Sequence, residues 1–178
     1  MRQDVRTRRP ARRLAPPSSP ADVRPVGPCP ALDAQALFAL LHAARTWYPE
    51  PNWGTTMAFA CTRDWVLKAD LSRRSRRRER VLAQAERSAA LTAEVGLWHP
   101  RKTWFVLHQR GRFLAANATP RLRVGARAWP FFYFYWCKRR LVARARAAGY
   151  RLDAREVNFG RVGLSLYYLD DEIYPLHR

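Results

Sequence analysis

The chain of 178 residues carries a formal net charge of +19 and is 48% hydrophobic, enough for one sizeable core, so a single domain with a tail is expected. Its longest apolar run, Trp129 to Cys137, is about half of what a bilayer crossing requires, which argues against a membrane span. Cys29, Cys61 and Cys137 stand far apart, with no C-x-x-C and no Cys/His cluster, so neither a disulfide framework nor a zinc site is expected and a reducing cytoplasm fits.

The basic excess suggests a polyanionic partner. Of the 33 basic residues only three are lysines, Lys68, Lys102 and Lys138. A skew of that size owes something to codon usage, so the charge points to phosphate in general more than to nucleic acid. Residues 1–30 hold seven arginines, two aspartates and seven of the thirteen prolines. They lack backbone donors and the apolar surface needed to offset ordering entropy. A disordered basic tail is expected there, without the apolar stretch of a secretory signal, and a single domain over 31–178.

From Leu32 to Trp47, Leu37, Leu40, Leu41, Ala44 and Trp47 recur at the helical period, with Asp33 near the start where a carboxylate suits the dipole. Met57, Phe59 and Cys61 then alternate with smaller residues, and Thr62, Arg63 and Asp64 turn the chain into a second strand, Trp65 to Asp70. Alternation puts Val66 and Lys68 on one face of that strand and Trp65 and Leu67 on the other.

The segment from Leu71 to Val95 is expected to be a long helix, with Val81, Leu82, Ala85, Ala89 and Leu91 or Thr92 as its apolar stripe and Gly96 as its end. Six arginines crowd its first turns, where the dipole disfavours them. Two strands, Thr103 to Gln109 and Arg112 to Ala118, joined at Arg110 and Gly111, form a second hairpin. Together the hairpins give an antiparallel sheet of at least four strands with the helix inserted between them. Pro130 opens a further helix that runs to Gly149. Its aromatic first half is read as core and its second half is basic.

The terminal stretch, YRLDAREVNFGRVGLSLYYLDDE, places Asp153 five residues before Asn158 and brings Asp170 and Asp171 after one more strand-like run. Carboxylates and an amide on such a loop are the hard oxygen ligands that magnesium takes. In order and spacing the chain resembles the protein-kinase-like family, in which the catalytic loop reads H-R-D-x-x-x-x-N, the metal motif D-F-G and the lysine strand V-A-I-K, here W-V-L-K.

The resemblance implies an α+β fold: a small antiparallel β-sheet lobe with an inserted long helix (31–120), then a reduced helical lobe with a catalytic-loop-like hairpin (121–178). It also implies Mg2+ and ATP as ligands. Lys68 would hold the phosphates with Glu86, or Glu79 two turns earlier, as its partner, and Val66 would cover the adenine. Gly54 would open a shortened phosphate loop, and Asn117 to Arg121 would be the hinge at the adenine edge. Asp153 would take the base position, Arg155 the basic position beside it, Asn158 the second metal position, and Asp170 or Asp171 the principal one. Departures are plain. Arg151 and Leu152 replace His-Arg, D-D-E replaces D-F-G, no G-x-G-x-x-G precedes Lys68, and the sequence reaches Arg178 without an activation segment. A minimal phosphotransferase of unknown acceptor, a protein among the candidates, or a nucleotide-binding pseudokinase is therefore expected. A separate expectation is a basic protein that docks nucleic acid or an acidic partner through Arg73 to Arg80.

Overall fold

The computed structural model describes residues 16–44, 47–49, 57–71, 74–125 and 130–176. β1 (Val23–Val26) lies inside the segment expected to be tail. It pairs antiparallel with β5 (Thr103–Gln109), and Val23 and Val26 are buried. Two valines are enough to recruit it, and Pro25, which has no N–H to donate, is tolerated because β1 lies at the sheet edge. α1 (Ala34–Ala43) is capped by Asp33, whose side chain accepts from the Ala36 N–H at 2.8 Å. It ends earlier than its periodicity suggests, and Trp47 belongs instead to β2 (Trp47–Pro49).

β3 (Met57–Cys61) and β4 (Trp65–Asp70) form the first expected hairpin. The inserted helix, α2 (Arg78–Val95), starts seven residues later than expected. The cause is an isolated bridge: Ser75 exchanges two backbone hydrogen bonds with Phe113, at 3.0 and 2.7 Å, which hold the chain extended before the helix. Of the described arginines in that run, Arg74, Arg76 and Arg77 therefore lie outside the helix, where the dipole objection does not reach them. β5 and β6 (Arg112–Pro120) meet at Arg110 (φ 48°) and Gly111 (φ 68°). Positive φ at both central residues gives the turn whose twist matches the strands it joins.

These strands make one antiparallel sheet in the order β1-β5-β6-β4-β3-β2. Alternation sorts its two faces. Leu67, Ala69, Phe105, Leu107, Ala116 and Ala118 pack with Leu37 and Leu41 of α1, whereas Trp104, Val106 and Ala115 pack with Val81, Ala85 and Ala89 of α2. The second of these cores continues into the rest of the chain through Phe134, Leu141 and Ala145 of α3 (Phe131–Ala147) and through Leu152, Phe159 and Tyr168.

The remaining strands are short. β7 (Arg123–Val124), β9 (Phe159–Val162) and β10 (Ser165–Tyr168) form a three-stranded sheet, and β8 (Tyr150–Leu152) pairs with β11 (Ile173–Pro175). α3 departs from its expected all-round burial. Phe134 is 1% exposed, but Phe132 is 86% and Trp136 51% exposed. No helix among the described residues is long and apolar enough to cross a membrane.

Candidate functional site

Strand alternation decides which polar side chains meet. β4 turns Leu67 and Ala69 toward α1, which leaves Val66 and Lys68, both partly buried, on the α2 side. The register sets Lys68 opposite Asn117 of β6, and Asn117 opposite Trp104 of β5. Opposite residues share a face, so these three line one side of the sheet, and residues 169–171 run against that side.

Lys68 Nζ donates to the Leu169 carbonyl at 2.8 Å. The Leu169 N–H donates to the Asn158 carbonyl at 2.8 Å, and Asn158 Nδ2 donates to the Asp153 carbonyl at 3.2 Å. Three hydrogen bonds thus connect the lysine of β4, through Leu169, to both loop positions, Asn158 and Asp153. The loop is fixed from its other side by Tyr168, whose buried hydroxyl accepts from the Asp153 N–H at 3.2 Å and donates to the Glu172 carbonyl at 3.0 Å. Burial raises that hydroxyl's pKa and keeps it a donor.

The acidic pair divides into two roles. Asp171 is committed: Lys102 Nζ stands 2.5 Å from Oδ1, and Asn117 Nδ2 donates to Oδ2 at 2.8 Å. Lys102 has no exposed side-chain surface, and its ammonium lies 4.8 and 5.0 Å from the ring centres of Trp98 and Trp104. Burial pushes the Lys102 pKa down to about 8, with Asp171 opposing the fall. Burial works upward on Asp171, but Lys102, Lys68 and the two hydrogen bonds outweigh it and hold its carboxyl below the ordinary range. At neutral pH this is an ion pair inside a wall of indoles.

Asp170 differs. Its Oδ1 accepts the Asp171 N–H at 2.8 Å, while Trp98 Nε1 donates to its carbonyl at 3.1 Å. Burial raises its pKa, and Lys68 offsets this only in part. A carboxyl in that state would gain from an arriving cation. Asp153 is held by Arg155, whose Nε and terminal nitrogen both lie 2.5 Å from Oδ2. Burial again works upward, but Arg155 prevails and keeps the carboxyl below its ordinary value.

Lys68, Asp153, Arg155, Asn158, Asp170 and Asp171 are therefore gathered into one region, and the side chain of Asn117 joins them. That last point corrects its expected place: Asn117 is 1% exposed in mid-strand, where it holds Asp171, and the hinge position at an adenine edge is not its own. Glu86 and Glu79 are exposed on α2, whose buried positions are Val81, Ala85, Ala89 and Val95. Lys68 acts on the carboxylates of Asp170 and Asp171. Gly54 lies outside the described residues.

No group of three or more His, Cys, Asp and Glu side chains is assembled for a metal among the described residues. Both oxygens of Asp171 are engaged, by Lys102 and by Asn117. Lys102 escaped sequence reasoning because R-K-T before a strand reads as surface. The available signal was its being one of three lysines in an arginine-rich chain. No protein-family model, no curated protein and no solved structure matches the chain.

Proposed function

We propose that the chain binds Mg2+ and ATP between the α2 side of the sheet and residues 153–171, as a minimal kinase-like protein. The observation that carries this reading is the hydrogen-bonded path from Lys68 through Leu169 and Asn158 to Asp153. The sheet supports it as well: the lysine strand sits between β3, its hairpin partner, and β6 of the second hairpin, with the long helix inserted after it. That arrangement resembles the small lobe of the kinase-like family.

When bound, the magnesium ion would neutralise charge on the phosphate oxygens. The residues of this chain supply binding and orientation. Lys68 offers an ammonium to the phosphates, and Asp170 and Asn158 offer oxygens to the metal. Asp153, ionised at neutral pH and oriented by Arg155, would accept the proton of an acceptor hydroxyl. Lys102 neutralises Asp171 and so keeps the acidic turn in place beneath Asp170.

Mg2+ with ATP is expected to raise the melting temperature of the whole chain, and Lys68→Ala and Asn158→Ala are each expected to weaken that rise. A melting temperature unmoved by any nucleotide with Mg2+ sinks the reading. A second reading rests on a separate observation, the exposure of Arg76, Arg77, Arg78 and Arg80 ahead of and within the first turn of α2. It takes that cluster as a dock for nucleic acid. Salt-sensitive binding that survives Asp153→Ala and Asn158→Ala would favour it, because counterion release depends on the arginines alone.

A further inference from the structure

The hairpin of β9 and β10 has at its tip a feature that the nucleotide reading does not use. Val162 pairs with Ser165, so Gly163 and Leu164 alone form the turn. Gly163 has φ 55°, which is what a two-residue turn with glycine first requires. The other turn position is ordinarily polar, yet Leu164 stands there 76% exposed. Val162, just before the turn, is 45% exposed, and Val124 of the neighbouring β7 is 48% exposed. Register sets Val124 opposite Gly160, and alternation turns Val162 to that same face. Single aliphatic residues scattered over a surface are ordinary, but three on one hairpin and its edge strand form a patch.

Charge of one sign surrounds this patch. Exposed Arg123 lies opposite Arg161 across β7 and β9, and exposed Arg121 comes two residues nearer the tip. Neither 121–125 nor 157–169 contains an Asp or Glu. Arg161 stands two residues before the turn, which sets the Arg123 and Arg161 pair about 7 Å behind the tip. Apolar groups lying in a bilayer interface enter it by about 5–10 Å. Leu164 and Val162 at that depth would leave the guanidiniums level with the headgroups, where an anionic leaflet attracts them.

The occupant follows from this chemistry. A second copy would bring Arg121 and Arg123 against themselves. Aliphatic side chains offer a nucleobase no ring on which to stack. A protruding turn needs a matching cavity in a partner protein, whereas a bilayer interface accepts a projecting apolar tip without one. The net charge of +19 selects an anionic bilayer over a neutral one.

We infer that the tip of the β9 and β10 hairpin docks the chain on an anionic membrane surface, with Leu164 and Val162 entering the interface and Arg121 and Arg123 meeting the headgroups. The test uses the full chain and vesicles of phosphatidylcholine, alone or mixed with phosphatidylserine. Flotation should recover the chain with the mixed vesicles and not with the neutral ones. Residues 1–15 bear six arginines against one aspartate and attract such a surface by charge alone, so the decisive variant leaves charge unchanged. Val162→Ser with Leu164→Ser should weaken binding to the mixed vesicles about tenfold or more. Leu164→Trp should preserve or tighten it, since indoles favour the interface, and Arg123→Glu should weaken it about fivefold or more. Circular dichroism melting checks that each variant is folded, and Leu164→Trp keeps the test decisive if the serine variant is not. No association with the mixed vesicles, equal association with neutral ones, or binding indifferent to the two serines overturns the inference. So does a Leu164→Trp chain that has lost its binding. Duplex DNA binding that the serine variant abolishes would give the tip to nucleic acid instead, and self-association in sedimentation that it abolishes would give the tip to a second copy.

Discussion

Taking away either Lys102 or Asp171 strands a charge with little access to water, since the Lys102 side chain has no exposed surface and that of Asp171 is 15% exposed. Lys102→Met or Asp171→Leu alone is expected to cost about 3–5 kcal/mol, whereas the two together should cost much less than the sum, because the desolvation of both ions disappears with them. Denaturant unfolding of the two single variants and the double variant measures the difference. The pH dependence has two limbs. Asp171 and Asp153 are held below their ordinary value, so their contribution is complete above about pH 4, the unfolded value, and is lost as pH falls through the folded values. Lys102 is the reverse of a lysine stabilised by its partner. Its folded pKa of about 8 lies below the unfolded value of about 10.4, so the unfolded chain holds the extra proton in between. Its contribution to stability therefore rises with pH from about 8 to about 10.4, and Lys102→Met should abolish that rise.

At the scale of elements, the β9 and β10 hairpin is what brings Leu169 under Lys68, and Gly160 is the point where it cannot thicken. A Cβ there would stand 2.9 Å from Leu122 Cβ and 2.9 Å from Leu169 Cδ1. Gly160→Ala should cost about 1–3 kcal/mol as an overpacked site, and through Leu169 it should also weaken any nucleotide-induced melting shift. Equilibrium unfolding with and without Mg2+ and ATP checks both. The NFG sequence showed a glycine after a phenylalanine, but nothing local in it revealed Leu122 on the far side. Hairpins, by contrast, were legible: the Arg110 and Gly111 turn and the span of β4 followed from alternation and turn chemistry alone. The start of α2 was not, because Ser75 is held by Phe113, 38 residues along the chain.

For the whole molecule, β1 changes how the sheet ends. It covers the outer edge of β5 and buries Val23 and Val26, and His108 Nδ1 lies 3.2 Å from Asp22 Oδ1 just before it. A chain lacking residues 1–26 should lose about 3 kcal/mol for the two valines and should self-associate through the uncovered strand. Urea unfolding and sedimentation velocity test these together. A truncated chain as stable and as monodisperse as the full one would make β1 dispensable.

The sequence by itself determined the α+β class, the two hairpins and a carboxylate, Asp33, near the start of α1, because each rests on a local period or a short spacing. Tertiary structure alone decided that Asp171 is spent on Lys102 and Asn117, that Glu86 faces solvent, that Val23 to Val26 is a strand, and that Phe132 and Trp136 lie outside the core. Each of these depends on which residues approach from dozens of positions away, and a side chain's neighbours across a sheet or beneath a helix leave no periodic trace in the chain that carries them.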